Sequence, residues 1–264
     1  MRGVASFLPF GAAARRRMAH LVKLLHQIVA GFFFYLALLL LGVGSLSWNL
    51  ISYALYPFVP RERGRVIGRA AIAGGYRLFW WWLQLTGVMR LSYDGIDDLR
   101  HDAGLIIAPN HPTALDALLV VARVPRGVCI MRATLMQNPF LGAGARLARY
   151  IRNDPPSGMV RGAVANLKQG GQLVMFPEGT RTVTPPVNAF LPGLTLIAHM
   201  AGVPIQTVIV ETDTGYLGKG WPVWKPPHFP MVYHLRLGER FAPEADHKAL
   251  NQRLEAYFRQ ELSR

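Results

Sequence analysis

The stretch Ala103–Val120, AGLIIAPNHPTALDALLV, changes character twice within a few residues. Leu105 to Ala108 is a continuous apolar run, as expected of a strand buried on both faces in a parallel sheet. From Leu115 onward the apolar residues fall at helical spacing. A strand, a short polar loop and a helix in that order predict an α/β layer fold. The loop also sets an imidazole, His111, five residues before a carboxylate, Asp116. On an unbroken helix two such residues point about 140° apart and cannot meet. Pro112 forbids that continuity, because proline is accepted at a helix start and not in its interior. Thr113 can then cap the helix, with Asp116 near its third position, while His111 stays in the loop and can bend back onto the carboxylate. That would be a base with an orienting acid. A capping acid beside a turn histidine fits the same residues.

Similar alternation runs through the rest of the chain. MRLSYDG, GLIIAP, GVCIM, QLVMFP, PIQTVIV and MVYHLRL read as strands. Residues 113–123, 139–150, 157–168, 193–200 and 247–262 read as helices. The expected fold is α/β, a mixed and largely parallel central sheet flanked by helices, with an N-terminal two-helix membrane-associated module. The module is expected over residues 1–88 and the α/β domain over 89–264. Residues 215–230, GYLGKGWPVWKPPHFP, hold too much Gly and Pro for either regular structure and read as a long loop.

The module rests on charge and hydropathy. The first acidic residue is Glu62. Ile28 to Trp48 is apolar enough for a bilayer span, which needs about 20 such residues. Arg15, Arg16, Arg17 and Lys23 precede it and Arg61, Arg63, Arg65 and Arg69 follow it. Positive charge favours the cytoplasmic side on both flanks, which one straight span cannot satisfy. A hairpin, or two helices dipping into one leaflet, can. The apolar run continues past any cleavage point a secretory leader would use. Trp80, Trp81 and Trp82 suit a membrane interface. The formal charge of +14 favours anionic partners. The apolar leader, and the lack of a basic recognition helix, argue against nucleic acid. Cys129, in GVCIM, is the one cysteine and reads as a buried small hydrophobe.

The second polar cluster is LVMFPEGTRT, Leu173–Thr182, again a strand running into a loop. Gly179 permits close backbone approach, and Thr180 and Arg181 offer donors to an anion, the arginine as a planar fork. Both clusters follow strands, where open α/β sheets place their sites. The chain has no G-x-S-x-G elbow. A His–Asp pair without a protein nucleophile can still activate a hydroxyl carried by a substrate.

NHPTALD resembles the N-H-x-x-x-x-D box of the glycerolipid acyltransferases, and FPEGTR resembles their second hallmark, roughly 65 residues on. The resemblance runs from about Gly104 to Val210 and is nearest to the 1-acylglycerol-3-phosphate (lysophosphatidic acid) acyltransferases. GVCIMRATLMQNPFLGAGARLARYIRND and AGVPIQTVIV resemble the family's middle and fourth blocks. It implies His111 as general base with Asp116 as its partner. It also implies Glu178, Gly179, Thr180 and Arg181 at the acceptor, Arg132 where a lysine is usual, and Arg152 closing the middle block. The implied acyl donor is acyl-CoA or an acyl carrier protein, with no metal or redox cofactor. The implied acceptor is a membrane lipid, reached at the cytoplasmic membrane surface with the catalytic domain facing the cytoplasm. Gln206-Thr207-Val208 departs from a pattern where proline is common, and residues past Val210 lie outside the resemblance.

Overall fold

A computed structural model describes residues 12–264. Residues 1–11 of the expected module, and the side chain of Arg15, lie outside the described residues. In chain order the elements are α1 (Ala12–Leu55), α2 (Arg61–Leu85), β1 (Met89–Asp94), a 3-10 turn (Ile96–His101), β2 (Leu105–Pro109), α3 (Leu115–Arg123), β3 (Gly127–Met131), α4 (Ala133–Met136), α5 (Gly142–Leu147), β4 (Ile151–Arg152), α6 (Pro156–Lys168), β5 (Gln172–Val174), α7 (Gly193–Ala201), β6 (Ile205–Thr212), β7 (Met231–Phe241) and α8 (His247–Glu261).

The seven strands form one sheet in the order β1-β7-β6-β2-β5-β3-β4. All neighbours run parallel except β6 and β7, which are antiparallel. The sheet is therefore mixed and mostly parallel, as the sequence implies. The strand expected over QLVMFP pairs only from Gln172 to Val174, because the chain then turns out of the sheet. The two-residue β4 and the one-turn α4 carry too few residues for a periodic signal.

The boundary near residue 88 falls between α2 and β1, yet one core crosses it. Phe34 and Ala37 of α1 and Phe79, Trp80 and Leu83 of α2 are buried with Ile107, Leu119 and Tyr233 of the α/β layers. Of the three tryptophans expected at an interface, Trp80 is only 2% exposed and Trp82 is half-buried against Phe33. Trp81 alone is exposed. Adjacent helical positions point about 100° apart, so one of the three must face away from the core.

At 44 residues, α1 is about 66 Å long, twice what a hydrocarbon core requires. Much of its surface is exposed and apolar, including Phe32, Leu39, Val43 and Leu50. The expected span, Ile28–Trp48, is not free on all sides, because polar residues bind it to the α/β layers at both ends. Gln27 donates through Nε2 to the Phe229 carbonyl at 2.6 Å and accepts from the Phe229 N–H at 3.1 Å. Tyr35 Oη donates to the Trp224 carbonyl at 2.7 Å. Asn49 Oδ1 accepts from the Ala143 and Gly144 N–H groups at 2.7 and 3.1 Å, supplying α5 with an N-terminal cap from another element. Its amide donates to the carbonyls of Ser45 and Phe140. These contacts dock α1 along its length against the α/β layers, with α2 packed beside it. Two glycines admit the close approach. A Cβ at Gly68 would sit 2.6 Å from the Ala148 nitrogen, and one at Gly144 would sit 2.7 Å from the Trp48 indole.

Replacing Asn49 with Leu leaves two N–H groups of α5 unpaired. The expected cost is roughly 1–3 kcal/mol, and each kcal/mol lowers Tm by about 2–4 °C in a chain of this size. Thermal unfolding in detergent checks it; an unchanged Tm would remove Asn49 as the docking contact.

Candidate active site

β2 and β5 are adjacent and parallel, paired from Leu105 with Gln172 to Ile107 with Val174. Their carboxyl ends therefore deliver NHPTALD and FPEGTR side by side. Two hydrogen bonds lock the loops together. The His111 N–H donates to Glu178 Oε1 at 2.9 Å, and the Thr182 N–H donates to the His111 carbonyl at 2.7 Å. Glu178 is buried and accepts also from the Thr182 hydroxyl at 2.9 Å and the Asn188 N–H at 2.8 Å. On the other side Asn110 bridges β2 to β6, donating to the Val210 carbonyl at 2.9 Å and accepting from its N–H at 2.7 Å. The amide side chain continues the ladder one step past the strand, so His111 leaves the sheet from a fixed point.

His111 Nδ1 lies 3.2 Å from Asp116 Oδ2. Thr113 closes the turn around that carboxylate: its N–H donates to Oδ2 at 2.8 Å and its hydroxyl to Oδ1 at 2.7 Å. The helix begins two residues later than expected, with Ala114 in the capping position. The Tyr233 hydroxyl donates to Thr113 Oγ1 at 3.0 Å, as the threonine proton is already given to Asp116. Asp116 is fully buried, and burial pushes its carboxyl up from the ordinary range against the opposing pull of His111 and Thr113. The carboxylate on Nδ1 places the ring proton there and leaves the Nε2 lone pair to act as a base. Phe176 stacks on the ring, centroids 4.0 Å apart. Asn110 and Phe176 lie inside the two motifs, but their roles, and that of Tyr233 on β7, depend on contacts between strands that the sequence does not display.

His111 opens onto a cavity of about 1290 Å³ between α1, α2 and the sheet. Its body is apolar, walled by Leu41, Ile72, Phe79, Trp82 and Leu118 among others. Arg132 and Arg181 also line it, with no aspartate or glutamate. Arg181 Nη1 donates to the Leu217 and Gly218 carbonyls at 2.8 and 3.1 Å, so the long loop reaches the site and orients the guanidinium. Gly179 has φ +65, and a Cβ there would meet Leu191 Cδ1 at 2.5 Å. The positive φ favours glycine at this turn, while the Leu191 side chain could move aside for a Cβ. Burial pushes the Cys129 thiol up to about 12, which leaves it without thiolate to act as a nucleophile.

Residues 90–211 match the model of the acyltransferase family. The chain carries an acyltransferase domain. It is of the lysophosphatidic acid acyltransferase-like type. It is 23% identical to the 1-acyl-sn-glycerol-3-phosphate acyltransferase of Pseudomonas aeruginosa, over 88% of this chain and 89% of that one. It is 27% identical to the enzyme of that name from Cocos nucifera over 64% of this chain, which spans only 54% of the plant protein. The fold is similar to the crystal structure of the 1-acyl-sn-glycerophosphate (LPA) acyltransferase from Thermotoga maritima, with TM-score 0.65 and 20% identity over 91% of this chain and 96% of that one.

Within this acyltransferase the structure brings together His111, Asp116, Gly179, Thr180, Arg181 and Arg132 around one cavity, Asp116 from behind the histidine. Two expected substrate contacts are placed elsewhere. Glu178 turns its carboxylate onto backbone N–H groups and does not line the cavity. Arg152 sits on the edge strand β4, paired with Asp154 at 3.0 Å, and lines a separate pocket. A motif spacing fixes which residues lie near a site and not which way they point.

Asp116→Asn keeps the turn but removes the group that fixes the imidazole tautomer, and is expected to lower acyl transfer by roughly 10²–10⁴. Because burial raises the Asp116 pKa, its charged form costs stability. That cost is absent below the ordinary carboxylate pKa and grows as pH rises through the folded value. The variant is therefore expected to unfold at or above the wild-type temperature at neutral pH, the difference vanishing in acid. A variant both unstable and inactive would make Asp116 a structural residue only.

Proposed function

We propose that this acyltransferase moves a fatty acyl chain from a thioester, acyl-CoA or an acyl carrier protein, to the free hydroxyl of 1-acylglycerol-3-phosphate, giving phosphatidic acid. One observation carries the reading: His111, backed by Asp116, faces a cavity that is cationic where Arg132 and Arg181 stand and apolar through its body. An acceptor with an anionic head and a fatty tail has those two properties. The acceptor hydroxyl gives its proton to His111 Nε2 as its oxygen attacks the thioester carbonyl. The C–S bond then breaks, and the proton passes from His111 to the leaving sulfur. Asp116 stabilises the imidazolium between the two steps. Arg132 has no carboxylate within ion-pair distance among the described residues, so its charge is available to a phosphate.

The long apolar helix α1 and its exposed apolar surface support an association with membranes. In the proposed arrangement α1 and α2 lie in the cytoplasmic leaflet of the inner membrane, with their exposed apolar faces in lipid and the cavity between them and the domain open to acceptors within that leaflet.

His111→Ala is expected to abolish transfer to a labelled lysolipid while the protein still sediments with vesicles; undiminished transfer would defeat the mechanism. Monoacylglycerol, which lacks the phosphate, is expected to be a far poorer acceptor than its phosphorylated counterpart. Equal rates would remove Arg132 and Arg181 from acceptor recognition. Gly75 lines the cavity, and a Cβ there meets nothing within 4 Å. Gly75→Leu should fill part of the acyl space without harming the helix. Rates are expected to fall with long-chain thioesters and persist with short ones. An unaltered chain-length profile would place the acyl chain elsewhere.

A further inference from the structure

A second pocket, of about 320 Å³, lies beyond Tyr150, which also lines the main cavity. Four arginines border it: Arg61, Arg146, Arg149 and Arg152. They come from α2, from α5 and the turn after it, and from β4, so the fold gathers them and the sequence does not.

These arginines have few anionic partners. Among the described residues Arg152 alone of the four is ion-paired, to Asp154. Arg146 Nη1 is held by the Met136 carbonyl at 2.8 Å, a neutral acceptor. Arg149 has φ +59, a backbone conformation that disfavours any side chain but glycine's. That turn carries its guanidinium over the Tyr56 ring, 5.1 Å from the centroid, with Nη1 donating to the Tyr56 hydroxyl at 2.9 Å. Arg149 Nε is buried and unpartnered among the described residues. Arg61 opens α2, whose capping position is Pro60 and has no side-chain cap. The positive end of a 25-residue helix faces the same region, its first turn also carrying Glu62, which pairs with Arg65 at 2.6 Å. Three of the four arginines lack a carboxylate partner among the described residues; they repel one another, and an anion in their midst removes that repulsion. Near Tyr56, Tyr53 in the last turn of α1 and Phe58 in the connecting turn are exposed, the latter 83% accessible. Apolar side chains beside a guanidinium cluster match the boundary between acyl chains and phosphates in a bilayer.

We propose that this pocket is a binding site for the phosphate of an anionic phospholipid headgroup, distinct from the acceptor position at His111. The site holds a bilayer lipid at the α1–α2 turn and so fixes the depth and tilt of the cavity mouth relative to the surface. It does not depend on the identity of the acceptor, and its test needs no turnover.

The test is co-sedimentation of the full chain with phosphatidylcholine vesicles, with and without a phosphatidic acid or phosphatidylglycerol fraction. Arg61→Gln/Arg149→Gln is expected to lose about tenfold in partition to the anionic vesicles, with partition to neutral ones unchanged. Arg61 is exposed, so Arg61→Gln alone, expected to lose part of that preference, covers the case in which the double variant fails to fold. Arg63→Gln/Arg161→Gln makes the same charge change outside the pocket and should retain the preference. Equal loss in that control would assign the effect to diffuse charge and overturn the site. So would undiminished anionic binding by both pocket variants. Adenosine 3′,5′-bisphosphate tests the other source of phosphate. If it binds the wild type and not the variant, while lipid preference is the same in both, the pocket serves the nucleotide end of the donor and the lipid assignment falls.

Discussion

The site depends on one tie: the Glu178 carboxylate holding the backbone N–H of His111, across 67 residues of sequence. A carboxylate accepting several hydrogen bonds inside a protein is a rigid joint, because each lost bond would leave a charge or an N–H unsatisfied. Glu178 therefore sets where the loop after β5 stands relative to the loop after β2. With that fixed, Phe176 reaches the imidazole face and Arg181 reaches the cavity that His111 opens onto. The acidic residue of FPEGTR thus builds the site from behind, and the arginine three residues later lines the cavity.

The Asp116 carboxylate shows the opposite use of burial. It sits without solvent, held by Thr113 and facing His111, with Tyr233 behind the threonine. Taking a charge out of water costs stability, and only partial compensation comes from its donors. The gain is preorganisation: a base whose orientation is set before substrate arrives does not have to be ordered during the reaction.

The cavity is not a property of the α/β layers alone. Leu41 of α1, Ile72 and Phe79 of α2 and Leu118 of α3 share its wall, and Gln27, Tyr35 and Asn49 bind α1 to the domain through hydrogen bonds. The helices that suit lipid thus also complete the space beside the base. The base and the space beside it are therefore built jointly by the sheet and the N-terminal helices.

The sequence by itself determined the alternation of strands and helices, the break at Pro112, the apolar N-terminal helices and the two polar clusters. Each of these depends on residue type and short-range spacing: apolar period, proline stereochemistry, charge. The start of α3 was legible to within two residues, since the proline that precedes it acts locally. Only the tertiary structure decided that Glu178 faces backbone, that Arg152 joins a different pocket, that Trp80 is core and Trp81 is not, and that a loop from residue 215 onward orients Arg181. Those outcomes are set by which side chains pack together across the sheet and between helices, and contacts between residues remote in the chain leave no periodic trace in it.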